Sequence, residues 1–181
     1  EDDLPPAAQP QGNTPWEFVT KADFPVFSGE KASKRTATGF SQHFFTGANP
    51  PLVVGEDDKL FAYVFLDPAN PPRMVMLQFN DGSWEHRAVW GDQSVATFGA
   101  ANTPSRIDMG PLPAVGSWAR LEVTAERVGL KPGSQLNGWA FTQHDGLVYW
   151  DKAGIVTRTP QSGQSYRSLA AWEGFEKANA K

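Results

Sequence analysis

The densest apolar pattern lies between Lys59 and Trp90. Residues 60–66 (LFAYVFL) form an aromatic and β-branched run, and residues 74–79 (MVMLQF) and 84–90 (WEHRAVW) flank Asn80-Asp81-Gly82-Ser83. Runs of this length and composition predict three consecutive strands. Asp-Gly between the last two predicts a hairpin, because both residues tolerate the positive φ that such turns need. Pairing Phe79 with Trp84 gives Gln78–Glu85, Leu77–His86, Met76–Arg87 and Val75–Ala88. Directly opposed residues share a face. One face then holds Phe79, Trp84, Leu77, His86, Val75 and Ala88 and reads as core. The other holds Gln78, Glu85, Met76, Arg87, Met74 and Val89 and reads as wet, able to hold a polar ligand. A one-residue slip would exchange the faces.

The same reading extends along the chain. Residues 1–15 are acidic and Pro-rich and are expected to lie extended along an edge. Strands are expected over residues 16–19, 39–46, 52–54, 107–109 and 118–123, with a turn and strand over residues 24–37. Residues 91–106 read as irregular, and residues 124–128 as one short turn. Residues 139–143 and 147–151 read as a second hairpin across His144-Asp145-Gly146. About ten strands at regular spacing predict an all-β, two-sheet antiparallel jelly-roll β-sandwich over residues 1–156. Residues 157–181 read as a linker and a short helix, over 167–178, leading to a further domain.

Composition narrows the function. The chain has 181 residues, a net charge of −4 and no basic block, which excludes the Lys/Arg-rich surface that nucleic acid requires. It has no cysteine, so disulfides, thiolate metal sites and a cysteine nucleophile are excluded. No apolar run reaches the roughly 20 residues that span a bilayer. The abrupt start at Glu1 fits a mature or trimmed piece of a larger chain. Seven Trp, 12 Phe, 15 Pro and 17 Gly together suit short strands with frequent turns.

No nucleophile elbow, zincin helix, phosphate loop or EF-hand loop is present. His43, His86 and His144 lack zinc-ligand spacing. Chance pairs of carboxylates are expected among 20 acids, so the chain reads as no enzyme. The wet face instead supplies Gln78, Glu85 and Arg87, whose amide, carboxylate and guanidinium groups suit sugar hydroxyls. Tyr63, Trp84 and Trp90 supply rings that would stack on pyranoses, and Gln143 and His144 add polar groups at the second turn. Plainer readings compete: a Trp in a sandwich strand belongs to the core, Glu85–Arg87 is a surface ion pair, His86 is a hydrogen-bonded core residue, and the Pro-rich loop 67–73 protects an edge.

Several long phrases carry a family resemblance. QHFFTGA (42–48), residues 60–91, WARLEV (118–123), LNGWAFTQHDGLVYWDKAG (136–154) and PQSGQ (160–164) resemble a β-sandwich module of planctomycete-type multidomain proteins, where it accompanies c-type cytochrome domains. Ser28-Gly29-Glu30-Lys31-Ala32-Ser33, residues 54–60 and Tyr149-Trp150-Asp151 also resemble strands of galactose-binding-type jelly-roll carbohydrate-binding modules. That second resemblance implies a structural calcium held by Asp3 (or Asp2), an oxygen near Glu30, and Asp151. Together the resemblances imply a non-catalytic polysaccharide- or glycan-binding module of a larger exported bacterial protein, monomeric when isolated. It would be periplasmic, cell-surface or secreted, without membrane insertion. The alternative is a structural or protein-docking domain beside other domains of the same parent chain.

Overall fold

Two long strands organise the computed structural model, which describes residues 2–12, 14–161 and 176–177. The strands in order are β1 (Gln9–Gly12), β2 (Glu17–Thr20), β3 (Lys31–Thr46), β4 (Leu52–Val53), β5 (Lys59–Leu66), β6 (Met74–Asn80), β7 (Arg87–Gly91), β8 (Ile107–Asp108), β9 (Trp118–Thr124), β10 (Gln135–Leu136), β11 (Gly138–Thr157) and β12 (Glu176–Lys177). β3 and β11 pair antiparallel from Ser33–Trp150 to Phe45–Trp139, nearly the whole length of β3. At one end they lie in a sheet with β1, β6, β7 and β8. At the other they lie in a sheet with β2, β5 and β9. The fold is a two-sheet jelly-roll β-sandwich whose two longest strands belong to both layers. β4 and β10 make a separate ribbon.

The passage between sheets occurs where β11 shifts register against β3, between His144 and Gly146. Asp145 and Gly146 have φ of 60° and 80°, and the Gly39 N–H donates to Asp145 Oδ1 at 2.5 Å. The expected second hairpin is therefore a corner. Asp-Gly supplies positive φ as a turn would, but residues on both sides of it stay paired with β3, so the chain bends without reversing. The Pro-rich loop closes over this corner through Arg73 N to His144 O (2.9 Å) and Leu147 N to Asn70 O (2.7 Å). A Cβ on Gly146 would lie 2.4 Å from Pro72 N, so only glycine fits.

Between the layers, Val75, Leu77 and Phe79 of β6 face Leu60, Ala62, Val64 and Leu66 of β5, with Phe45, Trp139, Phe141, Val148 and Trp150 filling from the long strands. Phe79 and Trp139 meet edge to face at 4.7 Å. Each such fully buried side chain contributes roughly 1.5–3 kcal/mol, whereas an exposed ion pair such as Lys21–Glu30 (2.8 Å) contributes about 1 kcal/mol or less. Apolar burial holds the sheets together.

β6 and β7 pair as Gln78↔Arg87, Leu77↔Ala88, Met76↔Val89 and Val75↔Trp90. This is two residues from the expected register, because residues 81–86 form a longer loop in place of a tight turn. A shift of two preserves parity, so the faces stand. The outer face divides, however. Met74, Met76 and Val89 are covered by Val95 and Ala96, whereas Gln78 and Arg87 line a groove and Glu85 is exposed at its rim. The helix expected over 167–178 lies outside the described residues except at Glu176–Lys177, which pair in parallel with Val156 and Thr157 as a strand.

Candidate functional site: a groove on one sheet face

The outer face of the first sheet carries a groove of about 140 Å³ lined by Gln42, Phe44, Gln78, Trp84, Arg87, Phe98 and Ala140. Strand alternation places Gln42 and Phe44 of β3, Ala140 and Thr142 of β11, Gln78 of β6 and Arg87 of β7 on this side. Cross-strand pairing then sets them in rows: Phe44, Ala140, Gln78 and Arg87, with Gln42 and Thr142 beside them.

The floor is one hydrogen-bonded strip. Gln78 Nε2 donates to Gln42 Oε1 (2.9 Å) and Thr142 Oγ1 (2.8 Å). Gln78 Oε1 accepts from Arg87 Nε at 2.8 Å, which fixes the orientation of the amide. Arg87 Nη1 reaches Ser105 O at 3.0 Å, and Glu85 grips the guanidinium at both terminal nitrogens, each at 3.1 Å. Hydrogen bonds from Arg87, and next from Ser105, hold the Glu85 carboxyl below the usual carboxylate range. The strip is ordered before any ligand arrives, so binding would cost little rotamer entropy.

Rings stand over this floor. Trp84 is half-buried and meets Phe44 edge to face at 5.5 Å. Phe98 is 40% exposed, meets Phe40 at 5.1 Å, and lies 5.6 Å from the Arg87 guanidinium carbon. Its loop is pinned by Asp92, which caps the short 3-10 turn Gln93–Val95, and by the bond from Ala100 N to Ser105 Oγ at 2.9 Å.

The seven residues expected to bind ligand divide by position. Gln78, Trp84, Glu85 and Arg87 come together here. Trp90 does not: it pairs with Val75 on the inner face and is 7% exposed, a core residue. Tyr63 lies on the other sheet, stacked under Phe27 at 3.7 Å. Gln143 is 1% exposed and donates to Asp145 O and Gly146 O at 3.0 and 2.9 Å, bracing the corner. Sequence reasoning missed Gln42, Phe44, Phe98 and Thr142. The alternation of Phe40, Gln42 and Phe44 in β3 was the available signal. Phe98, on an irregular loop, carried none.

Of the residues expected to hold calcium, Asp3 and Asp151 line one shallow pocket, and Asp2 reaches the backbone of Glu30. Asp3 Oδ1 accepts from its neighbour Leu4 N, and Glu30 pairs with Lys21. Asp151 is 6% exposed, and its oxygens accept the N–H groups of Phe27, Ser28 and Lys152 at 2.7–3.1 Å. Asp2 Oδ1 accepts from Glu30 N and Lys31 N. No group of three His, Cys, Asp or Glu residues able to hold a metal occurs among the described residues. Burial pushes the Asp151 carboxyl up to about 6, and the charge of Asp2 adds to the rise.

A larger cavity, about 670 Å³, opens among loops at residues 55–59 and 124–132. Its lining, which adds Thr124, Ala125 and Leu130 to Gly, Pro, Lys, Asp and Glu, includes no aromatic ring.

No family model matches the chain, and no curated protein matches it. Solved structures with similar chain paths include TmCBM61 in complex with β-1,4-galactotriose (10% identity, 84% of this chain and 89% of that chain covered, TM-score 0.49). Others are the CBM22-1 xylan-binding domain of Paenibacillus barcinonensis Xyn10C (11%, 85% and 88%, 0.44) and the K2 cleaved adhesin domain of Lys-gingipain (9%, 86% and 92%, 0.45).

Proposed function

We propose that this chain is a non-catalytic module that binds a polysaccharide or glycan in the groove between Trp84 and Phe98. One observation carries the reading: preorganised amide and guanidinium groups, half-buried at Gln42 and nearly buried at Gln78 and Arg87, form the floor of a groove between aromatic rings. Such a floor answers the hydroxyl-rich edge of a sugar, and rings answer its apolar faces. The groove is small beside the roughly 300–1,000 Å³ of pockets that enclose a small molecule. It suits part of a polymer lying across the sheet.

The Ser33–His43 contact is not a nucleophile–base pair. Ser33 and His43 are in contact at 3.2 Å, but His43 Nδ1 accepts from Arg35 Nε at 2.8 Å. The neutral ring then carries its proton on Nε2 and donates toward Ser33, the wrong direction for a general base. Among the described residues the exposed large apolar side chains are Phe18, Phe27, Phe98 and Val115, and Phe27 continues a partly exposed ring cluster with Tyr63 and Trp118 on the other sheet, the surface that the docking-domain alternative would use. As part of a larger exported protein, such a module would hold its neighbours near a glycan.

The test is affinity electrophoresis through gels containing plant and algal polysaccharides, with and without calcium, against an inert control protein. Retardation by one polymer class, abolished in Trp84→Ala, is the expected result. Equal mobility of the wild-type chain in every gel would contradict the proposal.

A further inference from the structure

The groove lining contains one charged side chain, Arg87, and that charge is answered from the rim. The Arg87 side chain is 6% exposed, whereas that of Glu85 is 60% exposed, yet both Glu85 oxygens are committed to the two terminal nitrogens of the guanidinium. A forked carboxylate on an arginine is the geometry with which arginine recognises an acidic ligand. Here the chain's own carboxylate occupies that position. The remaining floor groups, Gln42, Gln78 and Thr142, are uncharged.

We infer that Glu85 is a specificity-determining residue: by filling the carboxylate site on Arg87 it restricts the groove to uncharged glycans and rejects uronates and other acidic sugars. The inference rests on the glycan-binding reading above. A uronate approaching Arg87 meets the Glu85 carboxylate within contact distance, and like charges side by side repel, the more so at low salt because Glu85 is largely exposed. A neutral sugar meets no such penalty. Its hydroxyls can donate to Glu85 and accept from Arg87 without separating the two. The pair therefore discriminates by exclusion, and removing Glu85 leaves a nearly buried guanidinium, oriented by Gln78 and Ser105 O, that a ligand carboxylate can take over.

The test uses hydroxyethylcellulose, xyloglucan and β-1,4-galactan, each untreated and with its primary alcohols oxidised to carboxylates. Wild type and Glu85→Gln are compared by affinity electrophoresis at low and high salt, and their melting temperatures establish that both are folded. Wild type is expected to bind an untreated polymer and to lose at least about tenfold in affinity on its oxidation. Glu85→Gln is expected to gain at least about tenfold for the oxidised polymer, with the gain suppressed by salt and removed in Glu85→Gln/Arg87→Gln. Wild type that binds the oxidised polymer as well as the untreated one overturns the inference and leaves the glycan reading standing. The same holds if folded Glu85→Gln shows no gain. Wild type that binds neither form of any polymer overturns the glycan reading, and the inference with it.

Discussion

Arg87 Nε sits 2.8 Å from Gln78 Oε1, and the two residues are direct cross-strand partners on β6 and β7. That one bond orients the Gln78 amide so that its nitrogen faces Gln42 and Thr142, and so aligns a strip spanning four strands. Replacing Arg87 by Ala leaves a nearly buried amide oxygen and Ser105 O without their donor. A stability loss of about 1–3 kcal/mol is expected from urea denaturation, together with at least tenfold weaker retardation on the bound polymer.

Trp84 separates binding from folding. It is half-buried at the groove's margin, and its ring touches Phe44 without entering the inter-sheet core. Trp84→Ala is expected to lower stability by about 1 kcal/mol and to lose most of the affinity for polymer. Trp90→Phe, inside the core, is expected to show the reverse: a lower urea midpoint and unchanged retardation.

The corner between the sheets admits no side chain. Gly146 combines φ of 80° with backbone atoms of Pro71 and Pro72 within 2.7 Å of a Cβ position. Gly146→Ala is expected to cost about 3 kcal/mol or more, read as a lower urea midpoint at unchanged m-value. A cost under about 1 kcal/mol would show that the corner is not fixed as described.

Two buried groups give stability opposite pH dependences. Asp151, pushed up to about 6 by burial, takes its proton at higher pH in the folded state than its ordinary 3.8. Between about pH 6 and 4 the native state binds more protons, so this group makes the fold more stable as pH falls. The melting-temperature difference between Asp151→Asn and wild type is expected to grow from pH 4 to 6 and to level off above. A constant difference contradicts the assignment.

His43 runs the other way. Burial first, and the Arg35 charge second, hold its ring well below the ordinary 6.5. The unfolded chain takes up a proton near pH 6.5 that the native chain refuses, so stability is lost as pH falls below that value. His43→Gln is expected to remove that loss, which melting curves in the Asp151→Asn background would isolate.

The sandwich was legible because strand parity is robust. Placing β6 against β7 two residues out of register left Leu77 and Phe79 inside and Gln78 and Arg87 outside, since faces repeat every second residue. The corner was not legible. Asp145-Gly146 has the composition of a turn, and only the continued pairing of residues on either side with β3 distinguishes a bend from a reversal. The site was legible where strands set it and opaque where the layers did. Trp84 and Trp90 sit at the two ends of one short segment, yet the loop keeps Trp84 at the groove while β7 turns Trp90 inward. Phe98 depends on a loop whose course over Met74 and Met76 is decided by tertiary packing.

The most direct test of the groove is a ¹⁵N–¹H NMR titration of the labelled chain with xyloglucan, xylan and β-1,4-galactan oligosaccharides. The groove account predicts that, of the seven tryptophans, the Trp84 indole N–H shifts most, together with the side-chain amides of Gln42 and Gln78. Shifts confined to residues 55–59 and 124–132 would place binding in the loop cavity and contradict it, as would a spectrum that no sugar moves.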